Sequence, residues 1–109
     1  MSEIQRLRLP ETHPVFGSTK VFDTFQYSPA VTAGGLVFIA GQIGLRPDGS
    51  IPETPKEQIK FAFERLGTIL KSLNLDFTNI VELVSYHVNL YAQLADFRAV
   101  KEKYLKSDF

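Results

Sequence analysis

Gly34-Gly35 constrains this chain more than any other pair of residues. It lies between two short runs, Ala30–Ala33 and Leu36–Ile39, that read as strands. A two-residue hairpin turn needs positive φ at its central positions, and glycine adopts it without a Cβ clash. The second run, continued by Ala40, is apolar throughout, which predicts a strand covered on both faces. It leads into Gly41-Gln42-Ile43-Gly44. Gly41 reads either as a bulge or packing contact, or as the floor of a ligand site where backbone N–H groups point at the ligand. Arg46-Pro47-Asp48-Gly49 is a turn, because Pro sets φ and Gly permits a positive angle.

A helix start follows at Thr54-Pro55-Lys56-Glu57. Thr54 can cap, Pro55 suits the first helical position, and Glu57 can reach back to complete a capping box. Ile59, Ala62, Phe63, Leu66, Ile69, Leu70 and Leu73 recur at helical spacing. Lys56, Lys60, Glu64 and Lys71 lie largely off that stripe and mark a solvated surface. Asn74 is a left-handed stop. Ile80–Leu90 then reads as a strand. Val81, Leu83, Ser85, His87 and Asn89 point one way; Glu82, Val84, Tyr86, Val88 and Leu90 point the other. The first face becomes polar toward its end, which makes Ser85, His87 and Asn89 candidate site residues. Gln93–Lys106 is a second amphipathic helix, stopping at Ser107-Asp108-Phe109.

At the other end, Ile4–Leu9 reads as a half-exposed strand closed by Pro10, Thr12–Ser18 as loop, and Lys20–Gln26 as loop. Strand, hairpin, helix, strand, helix in that order predicts an α+β layer: a mixed sheet with two helices on one face. The other face is expected to be open and apolar, inviting association.

Composition narrows the function. With 109 residues there is one domain, and folding a chain of this size removes only about two-thirds of its unfolded surface, so association would help. Twelve basic and twelve acidic residues cancel, which argues against a strong electrostatic grip on nucleic acid. Cysteine is absent, which removes thiol nucleophiles, disulfides and thiolate metal sites. His13 and His87 are far apart in sequence and do not suggest a zinc site. No phosphate-cradling glycine loop stands out, so no cofactor is expected. No run of eighteen apolar residues exists to span a membrane, and the first residues lack the apolar block of a secretion signal, so the expected location is cytoplasmic.

Tyr27-Ser28-x-Ala30-Val31, then Leu36-Val37-Phe38-x-x-Gly41-Gln42-Ile43 and a Pro47-Asp48-Gly49 turn, resembles the Rid family. These RidA/YjgF-type reactive-intermediate (imine/enamine) deaminases also carry the label L-PSP endoribonuclease. The resemblance runs from roughly Ile4 to the end. Ser85-x-His87 is similar to the family's YjgH-like branch. The resemblance implies a chorismate-mutase-like α+β fold, a homotrimer with an inner sheet barrel, and ligand clefts between subunits.

In such a cleft, water would hydrolyse the C=N bond of a small imino or enamine acid and release ammonia. Tyr27 matches the family's cleft tyrosine, walling the pocket or offering a hydroxyl; from spacing alone it reads as a cross-strand aromatic. Ala40-Gly41 matches the family's Ser-Gly, so the serine hydroxyl is missing while the Gly41 backbone remains. His87 stands where deaminases have an apolar residue; it is either a general base or ligand contact, or a hydrogen-bonded structural histidine. The family continues with a Pro-x-Arg segment and a last strand bearing a glutamate, whereas this sequence ends at Phe109. The expectation is a single domain over 1–109 lacking those two strands, cut from a longer chain. Three functions follow from the resemblance. The first is an imine/enamine hydrolase; the second, a non-catalytic trimeric binder of imino or keto acids; the third, an endoribonuclease by family label alone.

Overall fold

The computed structural model describes residues 3–106. Two small sheets and three α-helices build an α+β fold. In chain order these are β1 (Gln5–Arg6), β2 (Thr12–His13), β3 (Gly17–Ser18), α1 (Lys20–Thr24), β4 (Ala30–Ala33), β5 (Leu36–Ile39), α2 (Pro55–Ser72) and α3 (Leu90–Tyr104), with a 3-10 turn at Phe77–Asn79 before α3. The main sheet has the order β1-β4-β5. Its pairs are both antiparallel, not the expected mixture.

The hairpin forms as its glycines require. Ala33 pairs with Leu36, and Gly34 and Gly35 take φ of 60° and 78°. Around it, two segments expected to be loop are ordered: β2 and β3 form a small hairpin, and α1 is a short helix that buries Phe22. Clustered Val21, Phe22 and Phe25 do not alternate, which hid a single helical turn that buries Phe22 alone and leaves Val21 and Phe25 exposed.

Helix α2 has the start and stop its sequence specifies. The Thr54 hydroxyl accepts from Glu57 N–H at 3.2 Å, and Pro55 opens the helix. The capping box is not completed. Glu57 turns its carboxylate to Arg46 at 3.4 Å instead, a surface pair of little energetic weight. Asn74 has φ of 58°, while Leu75 N–H donates to Leu70 C=O and Asn74 N–H to Lys71 C=O, a left-handed stop of the Schellman type. Thr54→Ala is expected to lower stability by about 1 kcal/mol, measured as a shifted urea midpoint at unchanged slope.

Helix α2 separates two cores. Ile69, fully buried, joins Phe16, Phe22 and Ala30, with Val37 and Ile39 of β5 packed against them. On the other side Phe63 joins Val100 and Leu105, with Phe77, Leu83, Phe97 and Tyr104 around them. That second cluster holds no residue of the main sheet, so α3 packs on α2 rather than beside it on the sheet. Helix α3 starts at Leu90, three residues earlier than expected, and its expected stop at Ser107–Phe109 lies outside the described residues.

The predicted strand Ile80–Leu90 forms no ladder. Its alternation survives only from Leu83 on, since Val81 of the same predicted face is exposed and Ile80 packs on the second core. Leu83 turns inward to the second core and His87 to Phe97, while Val84, Tyr86 and Val88 face solvent, Val88 fully so. A strand needs a neighbour to saturate its N–H and C=O groups, and among the described residues this segment pairs with neither free edge of the sheet, at β1 or at β5. Strand β5 was expected to be covered on both faces. Val37 and Ile39 are packed, but Leu36 and Phe38 are 54% and 60% exposed. This is the open, apolar second face that the helix-on-one-side layout anticipates.

Candidate functional site

The hairpin carries the first group of candidate residues. Ala40 N–H donates to Pro29 C=O at 3.0 Å and so prolongs the β4–β5 pairing by one step. The next positions outward are Ser28 on one chain segment and Gly41 on the other, with Tyr27 just beyond. The Ala40 carbonyl accepts from the Gln42 side chain at 2.9 Å, so both Ala40 backbone groups are engaged within the chain. Gly41 is exposed, and a Cβ added there would meet nothing within 4 Å. A packing contact inside the chain therefore does not explain this glycine. Space lies over its backbone.

Tyr27 is 38% exposed and meets Phe22 edge-on at 5.0 Å. Phe22 in turn meets Phe16, and Phe16 meets His13 at 5.6 Å, both edge-on. This row of rings braces the Tyr27 phenol from one side. The turn that follows Gly41 is held by Asp48, whose carboxylate accepts from the Ser50 N–H at 2.8 Å and hydroxyl at 2.6 Å. Those bonds hold the Asp48 pKa below its ordinary value. A carboxyl with a lowered folded pKa stabilises the fold above its unfolded pKa, and the contribution is lost as pH falls through the folded value. Ser50→Ala is expected to move the Asp48 midpoint upward in an NMR carboxyl titration, so that the turn loosens at a higher pH than in the parent chain.

Ser85, His87 and Asn89 form a second group around the start of α3. His87 Nδ1 lies 2.9 Å from Gln93 Oε1, and its Nε2 lies 3.1 Å from Ser85 Oγ. With the Gln93 oxygen facing it, Nδ1 is the donor of that pair. The ring also meets Phe97 edge-on at 5.1 Å. Both ring nitrogens are thus engaged within the chain. The Asn89 side-chain oxygen accepts from Ala92 N–H at 3.2 Å and caps α3. Gln93 is not among the residues the sequence singles out; its spacing of six from His87 across a loop-to-helix junction gives no signal. Among the described residues no hydrogen bond or ring contact joins this group to Tyr27, Ala40 or Gly41.

A shallow depression on the outer face of α3, lined by Tyr91, Leu94, Ala95, Arg98, Ala99 and Glu102, contains none of the candidate residues. It is a groove between side chains on successive helical turns rather than an enclosed cleft. Among the described residues no three His, Cys, Asp or Glu side chains gather to hold a metal ion, and no helix is long and apolar enough to cross a membrane.

The sequence pieces that frame Tyr27 and Gly41 are shared with known proteins. The family described as Endoribonuclease L-PSP matches residues 20–109. The chain belongs to this family. Escherichia coli RutC family protein YjgH is 30% identical over 80% of this chain and 66% of its own length. The 2-iminobutanoate/2-iminopropanoate deaminase of Rattus norvegicus is 38% identical over 72% of this chain and 56% of its own length. The chain thus spans less than two-thirds of these curated relatives. A solved structure of protein YjgH superposes with a TM-score of 0.72 at 30% identity, covering 86% of this chain and 74% of the other. This L-PSP chain therefore shares both sequence and fold with YjgH, the branch that Ser85-x-His87 resembles.

Proposed function

We propose that this chain is a subunit of a homotrimeric hydrolase that deaminates small reactive 2-imino acids in a cleft between subunits. The fold is then the chorismate-mutase-like one, with the sheets forming an inner barrel. The observation that carries the reading is the open backbone at Gly41, just past the end of β5 and within the segment shared with the 2-iminobutanoate/2-iminopropanoate deaminases. Water adds to the C=N carbon, the nitrogen leaves as ammonia, and a 2-oxo acid remains. Tyr27 walls the cleft and Gly41 forms its floor. The bare side chains of Leu36 and Phe38, and of Val84, Tyr86 and Val88, supply apolar surface for neighbouring copies to cover.

The test is ammonia release from 2-iminopropanoate generated in the assay, beside sedimentation of the same sample. Release above the spontaneous rate from a trimer is expected, with loss of rate in Gly41→Val, whose side chain would fill the floor. A monomer with no rate above background overturns the reading.

One observation favours a second reading, a trimer that binds imino or keto acids without turning them over. Ala40 stands where the family has serine, and its own N–H and C=O are already engaged. Pyruvate binding without ammonia release would select it. Endoribonuclease activity is the family's description, and the balanced charge of twelve against twelve gives RNA no excess cation to hold.

A further inference from the structure

Ser85, His87 and Gln93 form a row that the proposed deaminase chemistry leaves unused. Helix α3 builds one side of it. Gln93 sits on its first turn, where its N–H donates to Asn89 C=O at 3.1 Å and the Asn89 side chain caps Ala92 N–H. Phe97 follows one turn later on the same face of the helix. These two side chains seat the His87 ring: Gln93 Oε1 lies 2.9 Å from Nδ1, and Phe97 meets the ring edge-on. Ser85 approaches from the chain before the helix, its Oγ 3.1 Å from Nε2. Ser85 is exposed while His87 is half-buried, so a molecule from solvent meets the hydroxyl before the imidazole.

Each position implies a role. When Nδ1 donates to Gln93, the uncharged ring has its lone pair at Nε2, facing the serine hydroxyl. A hydroxyl within hydrogen-bond reach of a base, with that base oriented by a third group, is the arrangement that activates serine for attack on an acyl carbon. The orienting group here is an amide. It fixes the ring but, unlike a carboxylate, supplies no charge to stabilise the imidazolium formed in the reaction. Such a site suits esters with a good leaving group rather than amides. Tyr86 N–H, next in the chain after Ser85, has no backbone acceptor among the described residues and is the donor at hand for the oxyanion.

We propose that Ser85 is a nucleophile that takes the acyl group of small aryl esters, with His87 as its general base and Gln93 as the positioning residue. Oγ bonds to the acyl carbon as its proton passes to Nε2. The bond to the leaving oxygen then breaks, and Nε2 returns the proton to that oxygen, releasing the phenol. Water next adds to the acyl carbon and gives a proton to Nε2. The acyl–Oγ bond breaks, Oγ takes the proton back, and a carboxylic acid leaves. The site shares no hydrogen bond or ring contact with Tyr27 or Gly41 among the described residues, so it stands or falls apart from the deaminase reading.

The probes are p-nitrophenyl acetate and diisopropyl fluorophosphate, each applied to the intact chain. After an acid quench, peptide mass mapping is expected to find one acetyl group, on Ser85. The fluorophosphate is expected to modify the same hydroxyl and to block acetylation. His87→Ala is expected to slow acetylation of Ser85 about a hundredfold or more. Gln93→Leu is expected to slow it as well, and Gln93→Glu, which keeps an acceptor oxygen, to recover the rate. Ser85 left unmodified, or acetyl found only on lysine or tyrosine side chains, overturns the proposal, and does so without relying on any variant that fails to fold. Equal acetylation of Ser85 in the parent and in His87→Ala overturns it too, because the hydroxyl would then be reacting without its base.

Discussion

Gly44→Ala is expected to cost about 3 kcal/mol or more of stability, one of the two largest single-site losses in this chain. A Cβ at position 44 would lie 1.7 Å from the Gln58 carbonyl oxygen and 2.4 Å from its carbonyl carbon. The neighbour is backbone within the first turns of α2, so no rotamer change can relieve the overlap. Gln58 is tethered besides, by its N–H to Thr54 C=O at 3.1 Å and by its side chain to Pro52 C=O at 3.0 Å. Either the segment after β5 lifts from the helix or the helix start unwinds. Gly41→Ala, three residues away, is the control. Its added methyl meets nothing, and it is expected to change stability by about 0.5 kcal/mol or less. Urea midpoints of the two variants against the parent provide the measurement. Similar midpoints for both would show that the chain does not pass against α2 at Gly44.

The second large effect is at the other core. Phe63→Ala is expected to lose about 3–5 kcal/mol. Phe63 is 5% exposed, stacks on Tyr104 with centroids 5.1 Å apart, and touches Phe77 and Phe97, each at 6.2 Å. Its removal takes one ring out of a cluster in which three others lean on it. Helix α3 has its packing against α2 through this cluster and none through the main sheet. Amide exchange in α3 should therefore accelerate more than exchange in β4 and β5. Uniform acceleration across both would mean that the two cores melt as one unit.

Local chemistry explains which elements are legible in the sequence. The Gly34-Gly35 turn, the Thr54 cap, the Asp48-Gly49 turn and the Asn74 stop each depend on one or two residues whose conformational limits are intrinsic. Such signals do not need a neighbour to be read. The inward set of α2 is legible for the same reason, since a period of 3.6 belongs to the helix itself. The candidate site is legible in part. Tyr27, Ala40, Gly41 and the Ser85–His87–Asn89 set can be named from the sequence. Their partners cannot: Gln93 for His87 and Phe22 for Tyr27 lie across folds of the chain.

Where the sequence pattern misleads, a distant partner makes the decision. Ile80–Leu90 has the alternation of a strand, and Leu83 and His87 do turn inward while Val84 and Tyr86 turn out. Alternation specifies which side chains share a face; it does not supply the edge to pair with. Arg65 is the same case in a side chain. As one charge among twelve basic residues it has nothing to single it out in the sequence. Its stacking on Phe16 and its lack of an ion pair among the described residues come from packing α2 against the segment that precedes β4.

By itself, then, the order of residues determined the turns, the two ends and inward face of α2 and the family to which the chain belongs, because these depend on each residue's own backbone and on short-range spacing. Tertiary structure alone decided that Ile80–Leu90 forms no ladder, that α3 packs on α2 and that Gly44 must lack a Cβ. Each of those depends on atoms far apart in sequence meeting in space, which no local preference specifies.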